Sequence, residues 1–124
     1  MVNRPQYLLD AEVKAEQTRI TLEAGLKAKN EAYCKVTAFI VDMGQDNVAI
    51  GYFQEPNRLT KMRAMDLLTR SESEAGDLLL TACLLPDSDT RIMNPSPEND
   101  VLYMTFLGKA QELVTWYATV IKKN

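Results

Sequence analysis

The sequence predicts an α+β domain, and three observations lead there. Two β-branched and aromatic runs, Tyr33 to Val41 and Val48 to Phe53, are joined by a glycine-containing turn, Asp42 to Asn47. After Pro56, three stretches repeat apolar residues at helical spacing, each behind a residue of the type that starts helices. The 124 residues suffice for one hydrophobic core and fall short of two. The expected architecture is therefore a single domain, 1–124, with a β-hairpin over about 34–53 packed against three or four helices, the last of them long.

Residues 1–32 are read as an N-terminal segment, helical or flexible. Between 11 and 33, Ala, Glu and Lys dominate, and Val13, Ile20, Leu22 and Leu26 are the sizeable apolar anchors. The Glu23 to Lys27 spacing favours a helix, while Gly25 weakens it by about 1 kcal/mol relative to alanine. In the hairpin, the two-residue period places Cys34, Val36, Ala38 and Ile40 on one face of the first strand, and Val48, Ile50 and Tyr52 on one face of the second. The opposite face carries Phe39, Val41 and Phe53. A two-stranded ribbon apolar on both sides needs helices to cover it.

The first covering helix is expected near 57–70, with Asn57 as its cap and Leu59, Met62, Met65 and Leu68 as its stripe. Ser71 and Glu74 have capping-box spacing and open a second helix, 72–85, with the stripe Ala75, Leu78, Leu79, Ala82 and Leu85; Pro86 ends it. Residues 86–97 form a loop with one extended stretch around Arg91 to Met93. Ser96-Pro97-Glu98 starts the last helix, 97–122, whose stripe is Leu102, Phe106, Ala110, Leu113, Tyr117 and Val120, with Lys122 and Lys123 at its negative dipole end.

Composition then narrows the chemistry. The chain has no histidine, which removes Ser-His-Asp triads, Cys-His dyads and histidine metal sites. Fourteen basic residues against seventeen acidic leave a net charge of −3, without the long-range attraction that nucleic-acid binders use, and no apolar run reaches the length of a membrane span. Neither nucleic acid nor membrane is expected as a partner. Arg58, Lys61 and Arg63 fit a charged outer helix face better than a phosphate site. Cys34 and Cys83 show no CxxC spacing, and the N-terminus lacks the apolar core of a signal peptide, so a reducing cytoplasm is the expected compartment. Both thiols are read as small buried apolar side chains.

Candidate catalytic and metal-binding groups have simpler local explanations. Asp87, Asp89 and Glu98 fall at positions 1, 3 and 12 of a calcium-type loop, but Arg91 and Ile92 occupy its fifth and sixth places, where an oxygen ligand and glycine belong. Asp42 and Asp46 flank a turn, and Glu72 and Glu74 sit in a first helical turn, where acids suit the dipole. No glycine-rich phosphate loop or nucleophile elbow is present. No catalytic residue, metal or cofactor is expected. Six methionines stand out instead. Flexible thioethers fill irregular cores and also line surfaces that accept helical partners, so Met62, Met65 and Met104, with Trp116, are the candidate partner-binding residues.

From Tyr52-Phe53-Gln54-Glu55-Pro56-Asn57-Arg58 onward the sequence resembles the tail assembly chaperone-like proteins of tailed bacteriophages and prophages, a group common in Bacteroidetes genomes. The motif is a strand ending in an aromatic residue, then Pro56, Asn57 and Arg58, then a helix. Leu78 to Leu85 resembles their second helix with its late cysteine, the aspartate-rich turn Asp87 to Arg91 follows, and the last helix ends in Lys122-Lys123-Asn124. Where the group has Gly-Gly after the second helix, this chain has Leu85-Pro86. The resemblance covers about residues 33–124. It implies a non-enzymatic protein of the host cytoplasm, able to form homo-oligomers, that binds the long helical tape measure protein and supports assembly of the tail tube, whose protein would be a second partner. A structural tail or connector component, or another cytoplasmic protein-interaction domain, is the alternative. Arg58 is expected at the strand-to-helix corner, its guanidinium bonded to loop carbonyls.

Overall fold

The computed structural model describes residues 4–123, with side chains as far as Thr115. The elements follow in the order α1 (Gln6–Ala28), β1 (Val36–Asp42), β2 (Val48–Gln54), α2 (Arg58–Leu68), α3 (Glu72–Cys83) and α4 (Pro97–Lys123). The expected α+β class is what is found. The hairpin is the middle layer, with α1 on one face and the helices α2 to α4 on the other.

β1 and β2 pair antiparallel with Val36 opposite Gln54 and Asp42 opposite Val48. Met43 N donates to Asn47 O at 2.8 Å at the turn, and Glu55 N donates to Lys35 O at 2.8 Å at the far end. Hydrogen-bonded pairs therefore fall on odd positions of β1, and Val36, Ala38, Ile40 and Asp42 point their backbone groups away from β2. The expected alternation of faces holds. Val36, Ala38, Ile40, Ile50 and Tyr52 pack towards α1, while Phe39, Val41, Ala49 and Phe53 join the main core.

α1 begins earlier than the 11–33 pattern suggested, and two of its anchors are outside. Val13 is 58% and Ile20 54% exposed; the packed side carries Ala15, buried, with Leu22 and Leu26. Val13 and Ala15 are two positions apart, as are Ile20 and Leu22, and two positions turn a helix by about 200°, so only one of each pair can meet the sheet. Polar side chains do the rest of the docking. Glu23 Oε1 accepts from Val36 N at 2.9 Å and Arg19 Nη1 donates to Val36 O at 3.5 Å. At the other end of β1, Tyr7 Oη donates to the Asp42 carboxylate.

The outer edge of β2 is closed by the chain that leaves α3. Leu84 bridges Phe53, Leu85 N donates to Tyr52 O at 2.8 Å, and Asp89 N donates to Ile50 O at 2.9 Å. Buried Ser88 accepts from Tyr52 N at 2.8 Å through its hydroxyl. The extended stretch expected around Arg91 to Met93 is a turn, because the backbone pairing with β2 is made by residues 84–89 instead.

Behind the hairpin, Phe53 packs edge-on to Phe39, with centroids 5.5 Å apart, and stacks on Phe106 at 6.3 Å. Gly51 lies beneath that cluster: a Cβ there would come within 2.6 Å of the Phe106 ring. Three helix starts are capped as the sequence indicated. Asn57 Oδ1 accepts from Thr60 N, Ser71 Oγ from Glu74 N and Ser96 Oγ from Asn99 N. The stripes need correction. In α2, Leu59 and Met62 are exposed while Ala64 is buried and Met65 and Leu68 pack on the core. A row of i+3 steps drifts by about 60° each time, so Leu59 and Leu68 face opposite ways. In α3 the buried side is Ala75, Gly76, Leu79, Leu80 and Cys83, with Ala82 outside. Gly76 sets that rotation: its missing Cβ would lie 2.6 Å from the carbonyl oxygen of Leu107, so α4 crosses there. In α4, Leu102, Phe106 and Ala110 are buried as expected, joined by Leu107 and Val114. Among the described residues no helix is long and apolar enough to cross a membrane.

Candidate functional site

The corner that carries Pro56, Asn57 and Arg58 is built by their neighbours. The ladder ends at Glu55, Pro56 is buried and Asn57 caps α2. Lys61, one turn into the helix, reaches back to Glu55 Oε2 at 2.7 Å and lies 5.2 Å from the Tyr33 ring centroid. Gln54 Nε2 donates to Tyr33 O at 2.8 Å, which fastens the segment before β1 to the same corner. Arg58 is exposed and has no hydrogen bond or ion pair among the described residues. The expected tie to loop carbonyls is not made among the described residues: Arg58 stands in solvent, and the charged contact at the corner is that of Lys61 with Glu55.

Two hollows flank this corner. One, of about 370 Å³, lies between β1 and α4 and is lined by Lys35, Thr37, Phe39, Glu55, Pro56, Glu112 and Leu113. The other, about 210 Å³, includes Tyr33, Asn57, Thr60 and Cys83 in its lining. Burial pushes the Cys83 thiol up to about 11, so at neutral pH it is a thiol and not a nucleophile.

The candidate partner-binding residues are not gathered at one place. Met65 packs against the core. Met62 is 62% exposed, on the outer side of α2 with Leu59, and Met104 is 64% exposed, on the outer side of α4 with Val101. The side chain of Trp116 lies outside the described residues. Near the start of α4, exposed Met93 lines a hollow of about 280 Å³ together with Ile92, Pro95, Asp100 and Tyr103. Tyr103 also borders an open depression formed by Asp77, Leu78 and Leu107. Its hydroxyl donates to Asp77 Oδ1, and that bond, helped by burial, pushes the phenol up to about 12.

The acidic pairs are engaged locally. Asp42 accepts from Tyr7 and, at 2.9 Å, from Gly44 N, an Asx turn inside the hairpin loop. Glu72 and Glu74 occupy the first turn of α3. Asp89 is bound by the Arg91 side chain at 2.7 and 3.0 Å, which holds its carboxyl below the usual range. The same guanidinium donates to Asn47 Oδ1 and to Val48 O, so Arg91 clamps the loop to the hairpin tip. Among the described residues no three acidic or cysteine side chains are grouped as a metal site would need.

Sequence reasoning missed Leu59, Val101 and Met93 as surface groups. Val101 sits one turn before Met104, and that pairing was available from helical spacing. The exposure of Leu59 was concealed by its place in an apparent core stripe. No protein-family model, curated protein or solved structure matches the chain.

Proposed function

We propose that this chain is a non-enzymatic, protein-binding domain of the tail assembly chaperone-like kind, which holds apolar helical segments of a tape measure protein in the host cytoplasm and supports tail tube assembly. The observation that carries the reading is the pairing of exposed apolar residues on two helices: Leu59 with Met62, and Val101 with Met104. Each pair is spaced to meet a partner helix, and each includes an unbranched thioether that adapts to varied side chains. Their outward placement is not forced by the core, which is filled by Phe53, Leu79, Leu80 and Phe106. The order of elements after Pro56-Asn57-Arg58 supports the same reading through the resemblance described above.

The test is co-expression with overlapping fragments of a phage tape measure protein. At least one fragment should gain soluble yield. Met62→Asp and Met104→Asp should remove that gain while leaving the thermal midpoint of the chain unchanged, since both side chains stand in solvent. Unchanged yield along the whole partner overturns the proposal. Recovery of the chain from purified virions by mass spectrometry would favour a structural tail component instead.

A further inference from the structure

We infer that the free edge of β1 is a self-pairing surface, on which a second copy of this chain adds its own β1 antiparallel, with Ile40 opposite Ile40 across a two-fold axis. The two edges of the hairpin are treated differently. Every outward backbone group of Ile50 and Tyr52 that faces residues 84–89 is met there by a backbone or serine partner, except the Ile50 N–H. On β1, Val36 is sealed at both its N–H and its C=O by Glu23 and Arg19. Ala38, Ile40 and Asp42 point N–H and C=O outward with no partner among the described residues. Unpaired strand edges of this kind template further pairing.

A second copy is the occupant that the open stretch fits. Its three open residues are centred on Ile40, so antiparallel self-pairing sets Ala38 opposite Asp42 of the mate and satisfies the three N–H and three C=O groups of each strand. The sealed Val36 falls just beyond that register and ends the pairing. On the face away from α1, the same register brings Val41 opposite Phe39 and the exposed Met43 opposite Thr37, beside the 370 Å³ hollow that Thr37 and Phe39 line. One charge contact agrees: the Asp42 and Asp46 end of one strand lies along the exposed Lys35 of the other. The inference uses none of the residues assigned above to helix capture, and it stands or falls without that reading.

The experiment is sedimentation of the purified chain over a range of concentrations, together with amide exchange at Ala38, Ile40 and Asp42. The expected result is a dimer in which these three amides become protected as concentration rises. Ala38→Pro deletes an outward N–H that makes no bond among the described residues of one chain, and should raise the dimer dissociation constant about thirtyfold, as loss of two symmetry-related hydrogen bonds implies. A chain that stays monomeric overturns the inference. So does a dimer in which the three amides exchange as freely as in the dilute protein, or an edge protected only when an unrelated extended peptide is added. The exchange measurement on the unaltered chain keeps the test decisive if Ala38→Pro fails to fold.

Discussion

Ser88 closes the outer edge of β2 with one hydroxyl, which accepts from Tyr52 N–H and turns its own proton towards Tyr52 O, 3.3 Å away. It is a buried polar residue in a setting where the neighbouring contacts are backbone, so its removal leaves the Tyr52 amide without a partner. Ser88→Ala should therefore destabilise the chain by about 1–3 kcal/mol, measured by urea unfolding. A change within error would mean that water replaces the hydroxyl. This contact was not legible beforehand, because a serine in a loop rich in proline and aspartate carries no periodicity. Asn57, Ser71 and Ser96 were legible for the opposite reason: a cap acts on backbone three residues ahead, and spacing alone reveals it. Arg58 shows the limit of motif reading. Its neighbours Pro56 and Asn57 do what their positions indicate, yet the charge that organises the corner belongs to Lys61.

At the scale of elements, the contact between α3 and α4 depends on a backbone approach at Gly76 that leaves no room for a side chain. Gly76→Val would force the Leu107 carbonyl away and should lower stability by about 1–3 kcal/mol, with the loss read from a shifted denaturation midpoint at unchanged slope. Gly25→Ala in α1, where nothing lies within 4 Å of the added methyl, is the matching control and should be neutral or stabilising. The hairpin was legible from alternation, since its two apolar faces implied two covers, and α1 and the α2 to α4 layer supply them. Helix rotation was less legible. Apolar residues at Val13, Ile20, Leu59 and Met62 satisfy a helical spacing but lie outside, and a single sequence does not distinguish a core stripe from a surface one when both are apolar. Of the candidate site, Met62 and Met104 were read from composition and Val101 could have been added by helical spacing, while the exposure of Leu59 emerged only with the fold.

For the whole molecule, the two covers of the hairpin are held by carboxylates at their margins. Glu23 accepts the Val36 amide where α1 meets β1, and this bond, with Lys27 and Arg19, keeps its carboxyl below its ordinary value of 4.5; Asp89, held by Arg91 where the loop meets the turn, lies below 3.8. A carboxyl whose value is depressed in the folded state stabilises fully above its unfolded value and loses that stabilisation as pH falls through the folded one. The thermal midpoint should thus be flat near neutrality and decline as the solution is acidified below about pH 4.5. Glu23→Gln should shallow that decline. Tyr103 acts in the opposite direction: raised from 10 to about 12, it stabilises below pH 10 and releases as pH climbs towards its folded value. Circular dichroism melts across both limbs check the signs, and an acid limb with no slope would mean that these carboxylates are not linked to folding.

The strap from Leu85 to Asp89 also sets an order in time. α1 and the hairpin lie within residues 6–54, but β2 receives its outer backbone-edge partners from residues 84–91, after two further helices have been made. A nascent chain whose exposed portion stops short of Leu84 holds a ribbon whose β2 border is open and whose β1 border is sealed only at Val36. Synthesis past Asp89 closes one of them, so the interval during which α2 and α3 leave the ribosome is when this protein is most open to pairing with the wrong strand.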